Sequence, residues 1–427
     1  MTTTPRGAWR ARVAALAAVG LAVRVAYVWG YRRHAQPTGD AFYFHYQANL
    51  LAQGHGFVDP YSLLWRFQAV PGASHPPLWT LVLAVAPAVG ATSFFAQLLW
   101  GCLLGASAVV AVALAGREVA GSRVGLVAAA VTALYPVFVV DDGSLLAETV
   151  VVALVALVVW SCYRLWHRPT PARAAVLGVL CALCALARSE LVLLVLLLAV
   201  PAGLAARRRG VRRRLALSGA AVLGALGVFA PWWAYTVPRF SHPVLLSDQL
   251  GVTLATANCA PTYGGPLIGY WDDTCETEVP VPPGGALARD SQLRRVALRY
   301  AEHHAGRVPV VMGARLGRAL GVFRPAQQID LEWSVLGRPR LPATVGLFAY
   351  YVLLGLAVLG VVDLRARHVP LAPFGVILLE VVVVAAAVFG QTRYRDPLDV
   401  ALVVLAAVGF ERLFLPRGAH ALTRRGP

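Results

Sequence analysis

The residues that invite a chemical reading here are a few carboxylates, arginines and one histidine, set at the edges of long apolar runs. Asp40 follows the first run, directly after Gly39. It opens a stretch with Phe42, Tyr46 and Leu50 at helical spacing, so it stands as a reactive carboxylate or as the N-cap of an interfacial helix over 41–52, two roles that can coexist. Ser74-His75-Pro76-Pro77 places a histidine before a Pro-started helix. There it is a polar stop, or a hydrogen-bonding group or metal ligand at a cavity mouth. Asp141 and Asp142 end the third run, and Glu148 lies just inside the fourth. An ionisable group within an apolar helix defaults to a functional hypothesis, whereas one of the paired aspartates reads as solvated turn. Arg188-Ser189-Glu190 charges a turn between two apolar helices, as a mutual ion pair or as part of a site. Arg393-Tyr394-Arg395 sets two guanidinium forks around a tyrosine. Such forks grip phosphate bidentately, and snorkelling to bulk phospholipid is the plain alternative.

The elements that must position these groups follow from composition. The 427 residues are 58% hydrophobic and 14% charged, with mean hydropathy +0.64. A soluble domain carries about 25% charged residues. The excess of apolar residues excludes a cytosolic globule, a disordered chain and a disulfide-scaffold mini-protein, and leaves an all-α polytopic membrane protein. Ten segments are expected to cross: 8–30, 93–116, 122–140, 144–165, 172–187, 189–206, 214–236, 343–362, 370–390 and 397–415. Residues 76–90 are apolar but short and broken by prolines, and are expected to lie in the outer leaflet.

Orientation comes from arginine. The net charge is +17 and the sequence has no lysine. With the N-terminus inside, Arg6, Arg10, Arg12, Arg117, Arg123, Arg164, Arg168, Arg173, the runs 207–209 and 212–214, Arg365, Arg367, Arg412, Arg417, Arg424 and Arg425 fall on the inner side. Only Glu118, Asp363 and Glu411 oppose them there. This positive-inside pattern puts both termini in the cytoplasm of a multi-pass cell (inner or plasma) membrane protein, reads the first helix as a retained anchor, and excludes nucleic acid as the partner of the basic runs. The reactive groups then gather from five turns on the outer face. Two longer outer stretches remain, 31–75 and 237–342, the second expected to pack on the helices as a cap. Cys259 and Cys275 are the only cysteines in that cap, and an oxidising compartment predicts a disulfide between them. Cys181-x-x-Cys184 lies within one apolar helix and reads as small buried residues.

The ordered set Gly39-Asp40, His75-Pro76-Pro77-Leu78, Leu145-Leu146-Ala147-Glu148, Arg188-Ser189-Glu190 and Arg393-Tyr394-Arg395 resembles the GT-C glycosyltransferases. It is most similar to the family 39 branch, akin to protein O-mannosyltransferases and lipid A aminoarabinose transferases. The resemblance implies a GT-C-type bundle of about ten transmembrane helices, with 1–236 as the catalytic module, 237–342 as an outer loop or cap, and 343–427 as the last helices and a cytoplasmic tail. It implies an inverting transfer of sugar from a polyprenyl-phosphate donor, at the outer face of the bilayer, to an acceptor on protein, glycolipid or polysaccharide. By resemblance Asp40 is the base or acceptor-orienting carboxylate and Asp141 the second catalytic carboxylate. Arg393, Tyr394, Arg395 and Arg188 hold the lipid phosphate, and His75, Asp142, Glu148 and Glu190 line the cavity. Relatives usually follow the first aspartate with a second acid, where this sequence has Ala41. The divalent metal of some relatives is left open. A transporter or flippase of a lipid-linked anion would need polar residues through the midplane, where only Arg24, Glu148 and Glu380 occur, singly. A non-catalytic envelope assembly protein would have no use for Asp40.

Overall fold

Runs of alanine, leucine and valine have few options in lipid, because every backbone N–H and C=O must be satisfied within the segment, and a helix does this. In the computed structural model, which describes residues 6–206, 210–240, 243–282 and 285–414, all ten apolar segments are helical. Among the arginines expected on the inner side, those at 207–209, 417, 424 and 425 lie outside the described residues. The order begins α1 (Arg6–Tyr27), α2 (Asp40–Ala52), α3 (Pro60–Arg66), α4 (Pro77–Ala88), α5 (Phe94–Ala120), α6 (Ser122–Leu134), α7 (Pro136–Asp142), α8 (Glu148–His167), α9 (Pro171–Ala187), α10 (Ser189–Ala206) and α11 (Val211–Thr236). It continues with α12 (Leu250–Ala257), α13 (Gly285–His303), α14 (Val308–Ala319), α15 (Pro325–Leu336), α16 (Arg340–Ala366), α17 (Ala372–Ala387) and α18 (Asp396–Phe414). Among the described residues no strand forms beyond one bridge between Val58 and Pro71.

Six of these helices, α1 with its continuation to Arg32, α5, α8, α10, α11 and α16, are long and apolar enough to cross a membrane, and α6 with α7 makes a seventh if the bent pair is one span. The expected span 122–140 is bent by 55°. Pro136 offers no N–H and drives Tyr135 out of the helical region (φ −67°, ψ 114°), so the ladder stops there. Helices α9 and α17 are apolar but shorter, as is α4, in keeping with an interfacial position for 76–90. Helix α18 carries Asp396 and Asp399 and is nonetheless buried nearly all round.

Small residues let the helices close on one another. A Cβ added to Gly360 of α16 would overlap the Leu405 carbonyl, and one added to Gly409 of α18 would overlap the Leu356 carbonyl. Arg24, fully buried in α1, pairs with Asp142 at 2.5 Å and donates to the Ala133 carbonyl at 3.2 Å, so α1, α6 and α7 share one internal charge pair. Beyond α1 the helix widens into a π turn, Val28–Arg32, and Arg32 donates to the Gly143 carbonyl at 3.1 Å and the Gly337 carbonyl at 2.6 Å.

The 237–342 segment packs down on the bundle. Helices α12 and α13 bury Ala255, Leu293 and Ala297 together, and Cys259 is disulfide-bonded to Cys275. Arg315 reaches the Ala386 carbonyl at 3.0 Å and the Ala257 carbonyl at 2.5 Å, and the Gly390 N–H donates to the Gly269 carbonyl at 2.8 Å. These bonds tie the segment to the end of α17 and to the turn that follows.

Candidate active site

Asp40 sits in the first turn of α2, where the partial positive charge of a helix N-terminus favours a carboxylate. Gly39, not Asp40, is the capping residue, and no side chain caps this helix, so the Asp40 carboxylate is not spent on its own backbone. Gly39 takes φ +53°, a conformation that a Cβ makes costly, and its carbonyl accepts from the Tyr61 hydroxyl at 2.9 Å. Asp40 instead accepts from Arg393 Nη1 at 2.7 Å, and His75 Nε2 lies 3.7 Å from its other oxygen. The His75 ring is held between Tyr43 and Phe44, each with its centroid 4.8 Å away. The side chains of Asp40, His75 and Arg393 are 31%, 18% and 15% exposed, so they form a partly exposed recess, the cleft between α2, the 74–76 turn and the 391–395 turn.

Behind them the charges alternate. Glu148, at the start of α8, accepts from Arg188 Nη1 and lies 3.8 Å from Arg393 Nε. Arg188 also donates to Glu190 at 2.5 Å and to the Arg393 carbonyl at 3.5 Å, with its guanidinium 4.7 Å from the Tyr394 ring centre. Asp40, Arg393, Glu148, Arg188 and Glu190 thus form one chain of opposite charges drawn from four places in the sequence. Burial pushes the Asp40 carboxyl upward, but Arg393, foremost by charge and also by hydrogen bond, outweighs it and holds it down to about 2. Burial disfavours the Arg393 cation, and Asp40 with Glu148 more than restores it. For His75, burial leads the shift below the ordinary range, leaving a neutral imidazole at pH 7. Burial takes the Tyr394 phenol up to about 12.

Three expected site residues point elsewhere. Arg395 does not join Arg393 in a clamp: only 2% exposed, it donates to both Asp399 oxygens at 3.2 Å and lies 3.7 Å from the Tyr350 ring centre. The 3-10 turn Thr392–Arg395 explains why, since residues two apart on it face different ways. Asp142 is taken by Arg24, and Asp141 by Arg338 at 2.5 Å. Neither aspartate is a solvated turn residue, both being buried.

Arg338 also meets Glu332 at 3.3 Å, and Glu332 accepts from the Thr392 hydroxyl at 2.6 Å and from Gln328 at 3.0 Å. Glu332, Arg338, Thr392, Arg395 and Asp141 border a cavity of about 50 Å³ whose lining does not include Asp40. Glu332 and Arg338 are absent from the sequence reading. Glu332 lies on a helix that looks like an ordinary charged one, Arg338 just beyond its end, and Asp141 is 197 residues away from Arg338 in the chain. Among the described residues no group of three His, Cys, Asp or Glu side chains is disposed to hold an ion. Asp40 and Glu148 are both engaged by guanidinium groups, so these residues do not fit a metal.

The sequence model of the dolichyl-phosphate-mannose-protein mannosyltransferase family matches residues 74–235, a stretch that includes His75, Asp141, Glu148 and Arg188. Among solved structures, the chain is similar to the oligosaccharyltransferase of Archaeoglobus fulgidus in its apo form, at 14% identity and a TM-score of 0.54 over 95% of this chain and 51% of that one. It is also similar, at 16% identity and a TM-score of 0.44, to ArnT from Cupriavidus metallidurans bound to undecaprenyl phosphate, over 96% of this chain and 79% of that one. The chain therefore spans about half the length of the oligosaccharyltransferase it matches. No curated protein matches it by sequence. Fold and family match define the class: a helical polytopic membrane protein that resembles the GT-C superfamily of glycosyltransferases. Within that class the sequence is similar to the protein mannosyltransferases over 74–235.

Proposed function

We propose that this chain is a membrane glycosyltransferase that moves a sugar from a polyprenyl-phosphate donor to an acceptor hydroxyl at the outer face of the membrane, with inversion. The observation that carries this reading is the pairing of Asp40 with Arg393 in the cleft, a proton acceptor beside an anion receptor. Arg188 is engaged by Glu148 and Glu190, whereas Arg393 is the guanidinium that meets the partly exposed Asp40.

The chemistry follows from the roles. An acceptor hydroxyl attacks the anomeric carbon while Asp40 takes its proton. The bond from that carbon to the phosphate oxygen breaks through an oxocarbenium-like state, which asks for a carboxylate on the acceptor side. The leaving phosphate needs positive charge rather than a proton, and Arg393 supplies it in a partly dry site. Neutral His75, 3.7 Å from Asp40, is placed to hydrogen-bond the acceptor. Glu148, Arg188 and Glu190 orient Arg393, and Tyr394 walls the cleft. Asp141 acts through Arg338 and Glu332 to set the turn that carries Arg393. The N-terminal module thus brings the base, the last helices bring the phosphate receptor, and 237–342 caps them. The acceptor class, whether protein, glycolipid or polysaccharide, is left to the experiment.

The test is mass spectrometry of envelope lipids, glycans and glycoproteins from cells lacking the gene, complemented with wild type or Asp40→Asn. A species one sugar short, restored by wild type and not by Asp40→Asn, is the expected result. Loss of a general base costs about 10²–10⁴-fold in rate. Full rescue by Asp40→Asn would remove the base assignment and favour transport of a lipid-linked anion.

A further inference from the structure

Arg393 stands between two anions of different standing. Glu148, its side chain 3% exposed, is committed to Arg188. Asp40, 31% exposed, holds Arg393 Nη1 at 2.7 Å, whereas the Nε edge is turned to the buried Glu148 at 3.8 Å. A phosphate entering the cleft meets the guanidinium through the position that Asp40 already holds. Building on the reading of Arg393 as the phosphate receptor, we propose that Asp40 and the donor phosphate compete for Nη1, so that the resting ion pair is a self-inhibited state and donor binding is what releases Asp40 to act as base.

The resting pair is a poor catalyst. With its oxygen bound to Arg393 the Asp40 carboxyl is held down to about 2, far too weak a base to share a hydroxyl proton. A phosphodiester oxygen that takes over Nη1 removes that hydrogen bond and sets a like charge beside the carboxylate, and both changes raise its proton affinity. His75, Arg188 and Tyr61 also face Asp40, but among the described residues only Arg393 donates a side-chain hydrogen bond to it. The transfer then balances. The acceptor oxygen bonds the anomeric carbon as its proton passes to Asp40, the bond from that carbon to the phosphate oxygen breaks with its electron pair going to that oxygen, and the new phosphate charge falls on Arg393. Water in a cleft without donor meets no active base, so the contact orders the reaction, donor first.

A neutral residue at position 40 therefore removes a competitor for the phosphate. The full-length protein in lipid nanodiscs is titrated with undecaprenyl phosphate by microscale thermophoresis. Asp40→Asn is expected to bind this lipid about tenfold more tightly than wild type and Arg393→Gln more weakly, with the Asp40→Asn gain lost in the double variant. Asp59→Asn removes another carboxylate of the same loop, keeps a capping side chain on α3, and is expected to bind like wild type, which separates local competition from net charge. An Asp40→Asn affinity equal to or below that of wild type, or a gain that persists with Arg393→Gln, overturns the competition while Arg393 remains the receptor. Binding indifferent to Arg393→Gln removes the receptor reading itself.

Discussion

Two arginines one residue apart have opposite fates, and this separates reactivity from architecture at the scale of single side chains. Arg393 lies in the partly exposed cleft, and Arg395 is sealed against Asp399 and Tyr350. Arg393→Gln is expected to abolish transfer in the complementation experiment and, because Asp40 stays partly solvated, to lower the Tm in detergent by less than Arg395→Gln does. Arg395→Gln is expected to cost about 3–5 kcal/mol, because it leaves Asp399 buried and unpaired, and the same unfolding measurement reads this as a large drop in Tm. The pH dependence of Asp40 follows from its depressed pKa. A carboxyl held lower in the folded state than its unfolded value of about 4 stabilises the protein above that value, and the contribution fades as pH falls through about 2. The stability difference between wild type and Asp40→Asn should therefore be level from pH 8 to 5 and shrink on acidification below about pH 4, read by intrinsic tryptophan fluorescence. A sequence shows that Asp40, His75, Arg188, Glu190 and Arg393 border apolar runs, because hydropathy marks those edges. It does not show which arginine faces the cleft, since that depends on the rotation of one short 3-10 turn.

At the scale of elements, hydropathy and proline are strong signals and pairing is a weak one. The ends of α5, α8 and α11 fall within a few residues of their expected positions, since each is bounded by a cap, a charge or a glycine. The bend at Pro136 was equally visible as a residue, yet an apolar run on both sides reads as one continuous span. The buried pair of Arg24 and Asp142 is invisible from either residue alone, since 118 positions separate them. The close approach of α16 and α18 is similarly hidden, although it rests on two glycines. Gly360→Leu is expected to destabilise the protein by about 1–3 kcal/mol or more, because the added side chain meets backbone rather than a flexible tip. Thermal unfolding of that variant checks it, and Gly355→Leu, with open space around its Cβ position, serves as the matched control.

For the molecule as a whole, the 237–342 segment is the part least legible beforehand, because its contacts are arginine side chains reaching backbone carbonyls, which leave no pattern in sequence. The one long-range link that could be read there is the disulfide, from cysteine placement alone. Replacing Cys259 and Cys275 with alanine should remove about 3 kcal/mol of stability, on the loop-entropy argument for a sequence separation of 16. Unfolding with and without reductant measures it, and only the wild type should respond to the reductant. The separation of Asp40 and Arg393 by 353 residues has a further meaning for biosynthesis. A ribosome that has delivered every residue through α17 has still not made Arg393. On the proposed reading, each shortened product of early termination carries the proton acceptor without the cation that faces it. On that reading, activity certifies that translation passed the turn before the last helix.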